Sequence, residues 1–210
     1  MRSITVIGTG NVGGAVAALA AKGGASVQIL GHEPGKADAL AAQLGGTAGT
    51  AGTVGDAITG DIVVLAVPYP ALAAIAEQYG AALDGKILVD VTNPVDFQTF
   101  DGLTVPADSS AAAELQARVP GAKVLKAFNT NFAGTIAAGT VGDVPPTVLI
   151  AGDDADAKQA LVDLVTAGGV AAAAVGSLKR ARELEAFGFL QITLAAQEII
   201  GWGGGFALRK

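Results

Sequence analysis

The feature that most constrains this chain is six residues long. Gly8-Thr9-Gly10-Asn11-Val12-Gly13 stands directly behind the apolar run Ile4–Ile7 and opens a helical pattern over Val12–Lys22. In a chain with 30 glycines, a G-x-G-x-x-G spacing alone says little. Between a strand and a helix it acquires a mechanism. The first glycine permits the tight turn, the second lets a pyrophosphate approach the backbone, and the third lets helix and strand pack closely. The helix start then presents free N–H groups to an anion. The turn Gly8–Gly13 therefore reads as the binding site of a nicotinamide dinucleotide.

The rest of the chain alternates in the same way. Strands are expected over Ile4–Ile7, Val27–Leu30, Asp61–Val67, Lys86–Val91, Lys123–Ala127, Thr147–Ala151 and Val170–Val175, with a weak one within 45–53. Helices are expected over Val12–Lys22, Gly35–Leu44 behind Pro34, Leu72–Leu83, Ser110–Val119, Asp154–Ala167 and Arg180–Trp202. That rhythm predicts an α/β chain with a doubly wound, mostly parallel sheet and a helical C-terminal extension. No repeat or linker interrupts it, so a single domain over 1–210 is expected. Segment 95–110 has no period and reads as a long loop near a site.

Composition narrows the function classes. Hydrophobic residues make up 51% and charged ones 15%, which suits a sheet covered on both faces. No stretch reads as a membrane span, and no signal-peptide core precedes the first strand, so a cytoplasmic protein is expected. The net charge of −6, with no basic cluster, makes nucleic acid an unsuitable partner. With no cysteine and one histidine, thiolate chemistry, histidine triads and His-rich metal sites are excluded.

Cofactor preference is normally written at the end of the second strand, where an acid favours NAD and a basic residue accommodates the 2′-phosphate of NADP. Here Leu30-Gly31 carries no acid at its tip. His32 and Lys36 follow, with Glu33 between them. His32 and Lys36 favour NADP, and Glu33, 20 residues past Gly13 (33 − 13), keeps NAD open.

In an open parallel sheet, ligands bind beyond the carboxyl ends of the strands. Three such ends are distinctive: Ala66-Val67-Pro68-Tyr69, Thr92-Asn93-Pro94 and Phe128-Asn129-Thr130-Asn131. Asn93 and Asn129 offer amide groups to a cofactor or substrate, and Pro68 and Phe128 offer apolar walls. Neither tyrosine has a lysine four residues on, since Ala73 follows Tyr69 and Leu83 follows Tyr79, so no Tyr-Lys catalytic pair exists. A chain without a dedicated acid or base can still serve hydride exchange between two redox cofactors, by proximity and exclusion of water.

The motifs GTGNVG, DIVVLAVP, VDVTNP, VLKAFNT and ARELE, in this order over nearly the whole chain, resemble the NADP oxidoreductases dependent on coenzyme F420. The resemblance implies a Rossmann domain that exchanges hydride between NADPH and a deazaflavin. It implies that Thr9, Gly10, Asn11 and Val12 contact the pyrophosphate, and that Ala66, Val67 and Pro68 line the nicotinamide side. Gly31-His32 stands where the family has Ser-Arg, and Lys36 matches its lysine. The segment Trp202–Phe206 matches the region near the deazaflavin, so Trp202 and Gly203, with Pro94 and Phe128, are the expected substrate contacts. Arg182 and Glu185 also match, and three apart on a helix they could simply pair with each other.

The last helix is apolar nearly all round, through Leu184, Phe187, Leu190, Ile192, Leu194 and Ile199, which predicts a homodimer built partly on it. Two other readings stay open. Lys126 and Asn129 have the K-x-x-N spacing of β-hydroxyacid dehydrogenases, which would make this a dehydrogenase of a small hydroxy acid or imine. A dinucleotide sensor without catalysis is the other. FMN or another flavin is an alternative acceptor.

Overall fold

The structure is a computed structural model and describes residues 2–45 and 49–208. Its frame is one eight-stranded sheet in the order β3-β2-β1-β4-β5-β6-β7-β8. The strands are β1 (Ser3–Ile7), β2 (Ser26–Gly31), β3 (Gly49–Thr53), β4 (Ile62–Leu65), β5 (Ile87–Asp90), β6 (Lys123–Lys126), β7 (Thr147–Gly152) and β8 (Ala171–Gly176). Of the weak strand expected within 45–53, residues 46–48 lie outside the described residues and Gly49–Thr53 is a strand. The helices are α1 (Asn11–Lys22), α2 (Pro34–Gln43), α3 (Leu72–Tyr79), α4 (Ala111–Arg118), α5 (Ala133–Ala138), α6 (Ala155–Ala167) and α7 (Ala181–Ala196).

Strands β1 to β6 run parallel. In β4 all four residues are buried because alternate side chains enter different cores. Ile62 and Val64 join α1, α2 and α6 on one face of the sheet. Val63 and Leu65 join α3 and α4 on the other. Order reverses between β1 and β4, and the tips of β1, β4, β5 and β6 converge there.

Strand β7 then turns antiparallel to β6, pairing only Leu125 with Gly152 and Lys126 with Ala151. Most of β7 therefore projects past the carboxyl edge of the parallel strands, carrying β8 with it. This projecting flap gives α7 a wall to climb above the strand tips.

The sequence pattern extends the last helix to Trp202, whereas α7 ends at Ala196. Its end is a Schellman turn: Ile199 N–H donates to the Leu194 carbonyl and Glu198 N–H to that of Ala195. Glu198 occupies the left-handed region at φ 60°, so the chain leaves the helix axis before the glycines begin. The exposed Ile199 belongs to the following segment and not to the helix face.

Candidate active site

The glycines of the turn divide the work between fold and ligand. Gly8 has φ 120°, and a Cβ there would overlap the Ala66 carbonyl. A Cβ on Gly13 would overlap the Gly8 carbonyl. Gly10 is different: it has φ −77°, and a Cβ there would meet nothing within 4 Å. Gly8 N–H donates to the Leu30 carbonyl at 2.9 Å, and Ala66 N–H to that of Ile7 at 2.8 Å, fixing the turn between the tips of β2 and β4.

Helix α1 starts at this turn without a side-chain cap and without an acid in its first turn. Ser110 Oγ caps α4 by accepting from Ala113 N–H, and Asp154 caps α6 by accepting from Ala157 N–H, whereas α1, like α2, α3, α5 and α7, has no side-chain cap. The uncapped donors of α1, beside the open space at Gly10, fit an anionic pyrophosphate.

At the tip of β2, Gly31 is buried against the Thr9 methyl, 2.8 Å from where its Cβ would lie. His32 is exposed. The Lys36 ammonium lies 2.8 Å from the Glu33 carboxylate, with both side chains exposed. The charge expected for a 2′-phosphate is thus shared with a neighbouring acid.

Beyond the strand tips lies a cavity of about 550 Å³. Seven of the expected residues line it: Asn11, Val12, Asn93, Phe128, Asn129, Trp202 and Gly203. Thr9 and Gly10 with Asn11 instead edge an adjoining groove along α1 and α2, into which Lys36 also reaches. Gly8, Gly13 and Ala66 form the seat of the turn. His32, Val67, Pro68 and Pro94 do not reach the cavity wall. Pro94 is buried, and its carbonyl accepts from Thr104 N–H and Oγ1. Segment 95–109, expected near a site, contributes no wall residue; its Phe100 packs on Phe189 of α7.

Sequence reasoning missed Val91, Asn131, Phe132, Ala133, Gly134 and Ile192 on the wall. Three of them start α5 or cap it, a short helix of Ala, Gly, Thr and Ile with no polar-apolar contrast to reveal it. Asn131 was named within the distinctive strand end Phe128–Asn131 but given no role at the site. Phe128 is buried at φ 63°, a strained conformation for an aromatic residue, of the kind stored at functional sites. The Phe132 and Trp202 rings stand 4.9 Å apart, so the C-terminal segment closes one side. No residue lining the cavity carries a formal charge.

The two asparagines are not equivalent. Asn129 Nδ2 donates to Asn93 Oδ1 at 2.9 Å and to the Leu184 carbonyl of α7 at 2.8 Å, which uses both of its hydrogens. Asn93 Nδ2 donates to the Asn129 carbonyl at 2.8 Å and keeps one hydrogen. The donors of Asn129 hold Asn93 and α7, and its Oδ1 has no partner, so of its amide only the acceptor is uncommitted.

Beneath the wall lies a buried charge cluster. Lys126 Nζ is 2.8 Å from Asp90 Oδ2 and 2.8 Å from Glu185 Oε1, with all three side chains out of solvent. Asp90 Oδ1 accepts from Thr92 N–H, and Glu185 from the Ala111 and Ala112 N–H groups at the start of α4. Burial pushes the Glu185 carboxyl above its ordinary value, against the pull of Lys126. Glu185 therefore pairs across the fold with Lys126 and not with Arg182, which is exposed. Lys126 does not line the cavity, so the K-x-x-N spacing presents no ammonium to a substrate there.

Tyr69, after Pro68, donates to Glu114 Oε2 at 2.7 Å. Burial and then this bond push its phenol up to about 12.

A parallel sheet, an uncapped glycine turn and a cavity past the strand tips define a Rossmann dinucleotide-binding fold. Residues 3–94 match the family described as NADP oxidoreductase, coenzyme F420-dependent. The F420-dependent NADP reductase of Methanocaldococcus jannaschii is 32% identical over 139 residues, 64% of this chain and 62% of that protein. Metalloreductase STEAP3 of Rattus norvegicus is 36% identical over 125 residues, 60% of this chain and 24% of that protein. The chain thus spans less than two thirds of these curated relatives. A solved structure from Arthrobacter sp. FB24, provisionally described as an F420-dependent NADP-reductase, covers 99% of both chains with TM-score 0.84 and 26% identity. Residues 3–94 thus match the family of NADP oxidoreductases dependent on coenzyme F420, and the whole chain is similar in fold to a structure described in the same terms.

Proposed function

We propose that this protein transfers hydride between NADP(H) and a deazaflavin of the coenzyme F420 type. The observation that carries the proposal is the uncharged cavity beside the turn. A planar, uncharged ring system suits walls built from Phe128, Phe132, Trp202 and Val91. A hydroxy acid would bring a carboxylate, and no cation on this wall answers it. The two bound cofactors supply the redox chemistry themselves. The chain holds the pyrophosphate on the uncapped start of α1, and its aromatic wall keeps water from the reacting rings.

Preference for NADP over NAD rests on His32 and Lys36, with Glu33 competing for the lysine. A second copy of the chain is proposed to cover Leu190 and Ile199, which stand 51% and 64% exposed on and just after α7. No helix among the described residues is long and apolar enough to cross a membrane, in keeping with a protein that works in the cytoplasm.

Mixing the protein with NADPH and coenzyme F420 tests the proposal. Stoichiometric loss of deazaflavin and NADPH absorbance is the expected result. Turnover with FMN or ferric chelates but none with F420 would move the assignment to a flavin or metal reductase.

A further inference from the structure

Gly188 lies inside α7 and is buried, at a place where alanine would favour the helix. Its backbone φ needs no glycine, since Gly188 is absent from the positive-φ positions. What it needs is space. A Cβ there would stand 2.5 Å from Asn93 Oδ1, 3.0 Å from Asn93 Cγ and 2.8 Å from the Asn129 carbonyl oxygen. The Asn93 carboxamide therefore packs against the bare Cα of Gly188 and is held by two hydrogen bonds with Asn129.

We infer that Gly188 is a positioning residue that seats Asn93 so that its one uncommitted amide N–H faces an oxygen acceptor on the nicotinamide half of the bound dinucleotide. Asn93 lines the cavity and is only half-buried, whereas Asn129 has no donor left. The acceptor is a carboxamide oxygen or a ribose hydroxyl. This inference rests on the reading that the nicotinamide end occupies the cavity of about 550 Å³.

The test measures dissociation constants from NADPH fluorescence for the wild type, Asn93→Ala, Gly188→Ala and the double variant. An adenosine bisphosphate lacking the nicotinamide serves as competitor. Each single variant is expected to weaken NADPH roughly three- to tenfold, the worth of one neutral hydrogen bond, with the bisphosphate unchanged. In the Asn93→Ala background, Gly188→Ala is expected to add less than about twofold, because no amide remains to displace. Equal weakening in both backgrounds, weakening of the bisphosphate, or no effect of Gly188→Ala would overturn the inference. An unaffected NADPH constant in Asn93→Ala would instead overturn the placement of the nicotinamide. Should Gly188→Ala not fold, urea unfolding of the double variant decides: recovery of stability supports the seat, because truncation of Asn93 removes two of the three close contacts, and absence of recovery overturns it.

Discussion

The glycine turn and the cavity wall lie next to each other and are built on opposite plans. The turn is local: six consecutive residues, backbone donors, and two glycines required by close approach. The wall is assembled from β5, β6, α5, α7 and the C-terminal segment, and its polar parts are fixed by partners 36 and 55 residues apart. A local device can be read in a sequence and broken by a single methyl. A distributed device is held by side-chain contacts, and its failure passes through stability before it reaches the ligand.

The sharpest way to separate the two is within the turn itself. Gly8→Ala combines positive φ with overlap on Ala66, so little folded protein is expected by circular dichroism. Gly10→Val meets open space, so the melting temperature should hold while NADPH affinity falls roughly a hundredfold with the loss of charge-assisted bonds. A Gly10→Val protein that binds NADPH normally would remove the turn from the site.

The wall breaks differently. Lys126→Met leaves Asp90 and Glu185 buried without their cation, a cost of about 3–5 kcal/mol read by urea unfolding near neutral pH. Glu185→Gln keeps an acceptor for the start of α4 and a Lys126–Asp90 pair, so a much smaller change is expected. Glu185 titrates above its ordinary value of 4.5 in the folded chain. The stability it contributes is complete below that value and is lost as pH rises through the raised one. Unfolding measured against pH should show this slope in the wild type and not in Glu185→Gln.

The smallest effect belongs to Tyr69, which lies outside both regions against α4. Its phenol, pushed up to about 12, supports stability fully below pH 10 and loses it as pH rises through about 12. A tyrosinate absorbance titration should show this group ionising near 12, and Tyr69→Phe should cost about 1 kcal/mol or less. An ordinary titration midpoint would show the Glu114 bond to be absent in solution.

Sequence legibility follows the same division. The turn, the order of most strands and helices, and five wall residues were readable because each rests on contiguous pattern or on strand ends, whereas Trp202 and Gly203 were expected only from the family resemblance. Helix α5 was not, because Ala133–Ala138 lacks the polar-apolar contrast that reveals a helix. The end of α7 was missed because a glutamate, Glu198, takes the left-handed turn usually given to glycine. Glu185 invited pairing with Arg182 at helical spacing. Its true partner, Lys126, became a neighbour only through the flap of β7 and β8, which no local pattern announces.

The neutrality of the cavity has a kinetic side. A wall without fixed charge exerts no long-range pull, so a ligand reaches it by unassisted diffusion. The chain as a whole carries −6 and meets an anionic dinucleotide with repulsion at a distance. Added salt screens that repulsion within a Debye length of about 8 Å at physiological ionic strength. Encounter with the dinucleotide then quickens as salt rises, even as the grip on its phosphates loosens. Arrival and retention respond to the medium in opposite directions.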